Sequence, residues 1–318
     1  MSKCRLSKFV VCGSGMMGAA IAQVLATIEG SQVTILRSSN RGADPREKVR
    51  ANMQQLVDKD VIEASYVDEV VGRIDIAYTD EEVKDGELFI ECVPEVMELK
   101  QDLFARLEKT VATTAIFCTN TSVMSPTEIA AKCEHKERVV GTHFWNPGYL
   151  IPLVEVVKTE YATDEVIDTV MEVMTAAGKQ PCLCKKDVPG FVANRMQHAL
   201  WREAVAIVDE GIADAETVDL ACKTSFGLRL PYLPPLVNSD MIGTQLTMNI
   251  HSYVLKYLAD NHEPSPVLQK MIDKGELGFR AEPDENGIYH GFMDYTKEQM
   301  DEINSGLNEY LIKVLYGK

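Results

Sequence analysis

The run KFVVCGSGMMGAAIAQVLA at 8–26 constrains the fold more tightly than any other stretch of the chain. An apolar, strand-like segment ends on Gly13, and Gly13-Ser14-Gly15-Met16-Met17-Gly18 opens a segment with helical periodicity. Glycines at this spacing serve three separate ends. Gly13 permits the tight turn, Gly15 lets the backbone approach a pyrophosphate, and Gly18 lets the helix lie close against the sheet. The helix N-terminus at Met16 and Met17 then faces the diphosphate charge. The competing reading is a glycine turn of purely structural purpose, and the strand-to-helix context weighs against it.

A dinucleotide site of this kind normally ends its second strand on Asp or Glu, which accepts hydrogen bonds from the adenosine ribose. Here QVTIL is followed by Arg37-Ser38-Ser39-Asn40-Arg41. A carboxylate repels a 2′-phosphate, whereas Arg37, with Ser38 and Arg41, is suited to bind one. NADP is therefore favoured over NAD. The alternative is a loop arginine that simply faces solvent.

The rest of the first half alternates β-rich runs with amphipathic stretches. The runs are LFIECV, AIFCTN, RVVGTHF, PLVEVV and QPCLCKK; helical periodicity marks 97–110 and 163–177. Such alternation predicts a parallel, doubly wound α/β sheet. After Asp187 strand signals vanish, and 191–211, 214–226, about 240–260 and about 297–315 read as helices. The expected organisation is a Rossmann-like dinucleotide domain at 1–186 and an all-helical domain at 187–318. The glycine- and acid-rich stretch 278–294 reads as a surface loop.

Composition sets the outer limits. With 318 residues, 46% of them hydrophobic, the chain is long enough for two domains. A net charge of −16 argues against a nucleic-acid or anionic-membrane binder. No apolar run reaches transmembrane length, and the first residues lack the pattern of a signal peptide, so the expected location is cytoplasmic. Eight scattered cysteines without CxxC spacing read as reduced core thiols, and no metal site is expected.

The chemistry is carried by GTHFWNPGYLIPLVEVV at 141–157. His143 ends one apolar run, and Glu155 interrupts the next among Leu153, Val154, Val156 and Val157. Burying a carboxylate there is costly unless it is paired. Oxidising an alcohol requires a proton acceptor near neutral pH, which is the task imidazole suits. A glutamate on the adjacent strand would orient that imidazole and stabilise its cation. The bland alternative is a satisfied core histidine beside an unrelated glutamate.

GSGMMG (13–18), IECVPE (90–95), NTS (120–122), HFWNP (143–147), PLVEVV (152–157) and DVPGFVANR (187–195) follow one another along the chain. In order and approximate spacing they resemble the L-3-hydroxyacyl-CoA dehydrogenase family over essentially the whole sequence. The resemblance implies a Rossmann-like domain followed by a helical dimerisation domain, and a homodimer formed through the latter. It makes His143 the general base, Glu155 its partner, and Ser122 and Asn194 the groups that hold the reacting oxygen. Glu95, Asn120 and Asn146 become cofactor contacts. Read alone, Ser122 and Asn120 could equally cap a helix beginning near Pro126.

Three departures bear on the substrate. Arg37 replaces the family's usual Asp. SFGLRLPYLPPLVNSDMIG at 225–243 is closer to carnitine and gulonate dehydrogenase-like relatives, whose substrates carry no CoA. FRAEPDENGIYHGFMDY at 279–295 replaces the usual C-terminal segment. Arg229 is a candidate for a substrate carboxylate, or for a pair with one of the many surface acids. The expected activity is NAD(P)-dependent interconversion of 3-hydroxyacyl-CoA and 3-ketoacyl-CoA. The alternatives are the same chemistry on a free 3-hydroxy acid or polyol acid, and a non-enzymatic nucleotide-binding protein.

Overall fold

The computed structural model describes residues 4–318. Two compact units emerge: one runs to Arg195 and is completed by Leu307–Lys318, and the other is Met196–Gly306. The sequence divides at Asp187, whereas the packing divides inside the helix that follows and returns the chain's last residues to the first unit.

The first unit is built on an eight-stranded sheet of order β3-β2-β1-β4-β5-β6-β7-β8. Its strands are β1 (Lys8–Cys12), β2 (Gln32–Leu36), β3 (Ile74–Ala77), β4 (Leu88–Glu91), β5 (Ile116–Thr119), β6 (Val139–Phe144), β7 (Leu153–Val157) and β8 (Gln180–Cys184). Helices α1 (Met16–Ala26), α2 (Pro45–Asp58), α3 (Ala64–Val71), α4 (Met97–Leu107), α5 (Pro126–Ile129) and α6 (Asp164–Ala176) flank it. Alternation along β1 divides the core. Phe9 and Val11 join residues of α1, α2, α3 and α6 in one cluster. Val10 and Cys12 join Leu103, Phe104 and Leu107 of α4 in the other. The sheet thus has helices on both faces. The strand order reverses between β1 and β4, so a crevice opens beyond the carboxyl end of β1, where the glycine loop lies.

One pairing departs from the parallel sheet expected of the sequence. β6 and β7 run antiparallel, with His143 opposite Glu155. The connection between them spans only 145–152, too short for the crossover that a parallel pair requires. Strand β3 and helices α2 and α3 are additions to the sequence reading, in a stretch where charge breaks up the apolar pattern.

The second unit holds most of α7 (Ala193–Asp209), then α8 (Ala215–Thr224), α9 (Phe226–Arg229), α10 (Pro235–Ile242), α11 (Thr244–Val254), α12 (Pro266–Lys274) and the first part of α13 (Lys297–Tyr316). Among its described residues only Ala281 and Met300 are buried hydrophobics, while Tyr232, Leu236, Leu228 and Tyr253 are largely exposed. Residues 278–294 form a largely irregular segment, with Tyr289 bridging to Tyr295. No helix among the described residues is long and apolar enough to cross a membrane.

Candidate active site

The three glycines are constrained by three different things. Gly13 has φ +124°, and a Cβ there would lie 2.7 Å from the carbonyl oxygen of Cys92. A Cβ on Gly18 would collide with the carbonyl oxygen of Gly13. Both are fixed by the chain itself. A Cβ on Gly15 meets no atom within 4 Å. That open space beside the start of α1 is what a diphosphate lying against the loop requires, so the residues present fit a dinucleotide.

At the end of β2 Arg37 is buried. Its backbone N–H donates to the carbonyl of Ala77, and its Nη2 donates to the carbonyl of Arg41. Arg37 is thus not a free loop arginine, whereas Ser38 and Arg41 are exposed beside it.

Residues directly opposite in an antiparallel pair project on the same face. The imidazole of His143 and the carboxylate of Glu155 therefore meet, and Nδ1 lies 2.9 Å from Oε2. Val154 and Val156, on either side of Glu155, face the core cluster on the opposite face of the sheet. Glu155 has no exposed surface, and His143 only 4%. The carboxylate is compensated on both oxygens. Trp145 Nε1 donates to Oε2 at 3.3 Å. The backbone N–H groups of Val192 and Ala193 donate to Oε1, each at 2.9 Å. Burial pushes this carboxyl up; the hydrogen bonds from His143, Ala193, Val192 and Trp145 outweigh it and hold it at about 2. An ionised Glu155 accepts from Nδ1–H, which fixes the tautomer and leaves Nε2 as the basic nitrogen.

The two backbone donors are supplied by DVPGFVANR. Gly190 and Phe191 have φ +76° and +49°, so successive left-handed residues turn the next N–H groups inward into an anion-binding nest. Phe191 holds a conformation costly for a side chain of its size, and it is buried against Val157 and Cys184. Asp187 anchors the start of the loop, accepting from Ser125 Oγ and from the Thr127 N–H.

The same loop delivers Asn194, whose Nδ2 donates to the carbonyl of Ser122 at 3.1 Å. The N–H of Ser122 in turn donates to Glu95 Oε1 at 3.2 Å. Neither Ser122 nor Asn120 caps the helix at Pro126; Ser125 does, accepting from the Glu128 N–H. Asn120 Oδ1 instead accepts from the Phe144 N–H at 2.9 Å, tying the end of β5 to the residue after His143. Asn146 is exposed in the β6–β7 connection. Arg229 belongs to the second unit, exposed on α9, and has no ion pair among the described residues.

Two buried lysines were not singled out from the sequence. Lys100 Nζ lies 2.7 Å from Glu91 Oε1 and 3.0 Å from Glu95 Oε2. Burial raises the Glu91 carboxyl against the opposing pull of Lys100. For Glu95 burial also acts upward, but Thr121 and Lys100 hold it below its ordinary value. The signal was available: Lys100, Leu103, Phe104 and Leu107 fall on one helical stripe, and a lysine on an apolar stripe needs a buried acid. Lys179 Nζ donates to the carbonyls of Gly148 and Ile151, at 2.6 and 2.9 Å, and so holds the β6–β7 connection.

Known proteins match this chain along most of its length. The family description "3-hydroxyacyl-CoA dehydrogenase, NAD binding domain" fits residues 8–188, and "3-hydroxyacyl-CoA dehydrogenase, C-terminal domain" fits 190–289. A 3-hydroxybutyryl-CoA dehydrogenase of Clostridioides difficile is 32% identical, covering 91% of this chain and 100% of its own. The crystal structure of 5-formyl-3-hydroxy-2-methylpyridine 4-carboxylic acid 5-dehydrogenase, an NAD+-dependent dismutase, superposes with a TM-score of 0.84 at 26% identity, covering 97% of both chains. That of (S)-3-hydroxybutyryl-CoA dehydrogenase from Ralstonia eutropha gives 0.75 at 26% identity, covering 92% of this chain and 100% of that one. With both of its domains matched and the glycine loop shaped for a dinucleotide, the chain belongs to the 3-hydroxyacyl-CoA dehydrogenase family and is an NAD(P)-dependent oxidoreductase of that type.

Proposed function

We propose that the chain interconverts the 3-hydroxyl and 3-keto forms of an acyl-CoA, with His143 as base in oxidation and acid in reduction. The observation that carries this reading is the His143–Glu155 hydrogen bond on a buried carboxylate that His143 and its other donors hold ionised. Bound NAD(P) supplies the hydride acceptor or donor. His143 Nε2 takes the hydroxyl proton as the carbon–hydrogen bond breaks, and Glu155 stabilises the imidazolium without accepting that proton. Ser122 and Asn194 hold the reacting oxygen. Asn194 is kept in place through the Ser122 carbonyl; Glu95 and Asn146 contact the nicotinamide half of the cofactor, and Asn120 is a further cofactor contact.

The acyl-CoA substrate draws support from the Clostridioides difficile relative, which is named for a CoA thioester. A second reading, a free hydroxy acid without CoA, is favoured by the TM-score of 0.84 with a dehydrogenase named for a pyridine carboxylic acid. The finer cofactor assignment is NADP, because Arg37 and Arg41 stand where a carboxylate would repel a 2′-phosphate. Arg37 Nη2 holds the Arg41 carbonyl, and exposed Ser38 and Arg41 beside it are placed to meet such a phosphate. The assembly is a homodimer through the second unit, where large apolar residues such as Tyr232, Leu236 and Leu228 are exposed and a partner would cover them.

The test is oxidation of NADH and of NADPH driven by acetoacetyl-CoA and, separately, by free 3-keto acids. Turnover with acetoacetyl-CoA, reduced about 10²- to 10⁴-fold by His143→Ala, is the expected result. Turnover with free keto acids alone favours the second reading. Unchanged turnover in His143→Ala removes the dyad from the mechanism.

A further inference from the structure

Glu155 Oε2 carries two hydrogen bonds, and the dyad accounts for only one of them. The second comes from the indole of Trp145, which donates from Nε1 at 3.3 Å to the oxygen that holds His143 Nδ1. Trp145 follows His143 by two residues, and its ring centroid is 5.3 Å from the imidazole at an interplanar angle of 54°. Phe191 also flanks the imidazole, with its ring centroid at 5.7 Å. The tautomer does not depend on the indole, since the carboxylate alone accepts from Nδ1–H.

What the indole adds is electrostatic. The positive end of an N–H dipole placed on Oε2 offsets part of the negative potential that this oxygen exerts on the imidazole. It does so without adding a charge, so Glu155 stays ionised. The titratable groups around the pair are few. From β7 comes Glu155 itself. From β8 come Cys182, opposite Glu155 in register, and Cys184, whose Sγ lies 3.9 Å from Oε1. The 190–193 turn presents backbone N–H groups and the Phe191 ring.

We propose that Trp145 is a positioning residue that sets the basicity of His143: its indole N–H shares Glu155 Oε2 with the imidazole and moderates the carboxylate's hold on the imidazolium. The inference rests on reading His143 as the general base. It gives Trp145 a role that an apolar aromatic ring in the same place cannot perform.

Trp145→Phe keeps a ring against His143 and removes the N–H. Replacement of Trp145 by 3-benzothienylalanine keeps the full bicyclic shape and removes only the donor, which covers the case where phenylalanine leaves a void. The measurements are the pH profile of kcat/KM in the oxidation direction and the NMR titration of the His143 imidazole in the folded protein. Removing the donor is expected to move the acid limb and the imidazole titration upward together by about half a pH unit. The rate below the limb then falls about threefold while the high-pH plateau stays within about twofold. A uniform fall in rate with the limb unmoved means that the ring acts by packing alone and overturns the proposal. If His143→Ala retains the acid limb, the base assignment itself fails and the proposal falls with it. A limb that His143→Ala abolishes but that neither Trp145 replacement moves sinks only the role of the indole.

Discussion

Glu155→Gln perturbs the buried carboxylate with almost no change in volume. The carboxyl is held at about 2 against an ordinary 4.5, a difference worth roughly 3 kcal/mol of stability at neutral pH. Its folded value is the lower one, so this contribution is full above about pH 4.5 and is lost as the pH falls through about 2. A glutamine offers one acceptor and one NH2 group in place of two acceptors. Whichever way the amide turns, either His143 and Trp145 or Val192 and Ala193 face a donor instead of an oxygen. Leaving two buried donors unmatched costs roughly 2–6 kcal/mol by a separate count, which brackets the linkage figure. Urea unfolding at pH 7 should therefore show Glu155→Gln less stable by about 3 kcal/mol, with the gap narrowing between pH 4.5 and 2 as the wild-type carboxyl protonates. Turnover should fall about 10²- to 10⁴-fold, since a neutral partner does not stabilise the imidazolium. A variant of wild-type stability at pH 7, or one within tenfold of wild-type turnover, refutes the reasoning.

Gly15→Ala meets no protein atom, so it should leave the unfolding midpoint nearly unchanged while weakening dinucleotide binding by tenfold or more; equal affinity for NAD(P)H by fluorescence titration would place the diphosphate elsewhere. Burial lowers the Lys179 ammonium to about 8 from an ordinary 10.5. The unfolded chain then holds more protons between those values, and stability should rise by about 1–3 kcal/mol as the pH climbs across that window. Lys179→Met should abolish the slope, and thermal melts at pH 7.5 and 9.5 that change equally in both proteins would contradict it. The exposed apolar residues of the second unit predict that the melting temperature falls on dilution, as for a protein stabilised by self-association; a concentration-independent value would remove the dimer.

Much of the first unit was legible because its strands are buried on both faces and read as continuous apolar runs. QVTIL and KFVVC became β2 and β1, and MELKQDLFARLEKT became α4. IDIA, which became β3, was missed because it is four residues long and lies between charged stretches. The interval from His143 to Glu155 carried more information than a resemblance alone. A hairpin connection of that length forces an antiparallel pair, and only one register sets the two residues opposite each other. The anion nest was not legible. Pro189-Gly190 announces a turn, but nothing in a sequence says that a phenylalanine will adopt a left-handed conformation or where the next two N–H groups will point. The Glu91–Lys100 pair lay between these cases: periodicity sets Lys100 on the apolar stripe of α4, but no spacing in the sequence names its partner acid.

The division of labour within Glu155 ties the chemistry to the fold. Oε2 faces the imidazole and the indole, while Oε1 closes the turn that begins α7. The residue that steadies the candidate base therefore also fixes the first turn of the helix that carries Asn194. Asn194 leads through the Ser122 carbonyl to the Ser122 N–H, then to Glu95, Lys100 and buried Glu91. Polar groups in such a chain are expensive to bury singly and cheap only when every member is matched. Placing a carboxylate between valines on a sheet strand is thus affordable here because fixed donors approach it from two directions. Those same donors leave it too weakly basic to compete for the proton that His143 must carry.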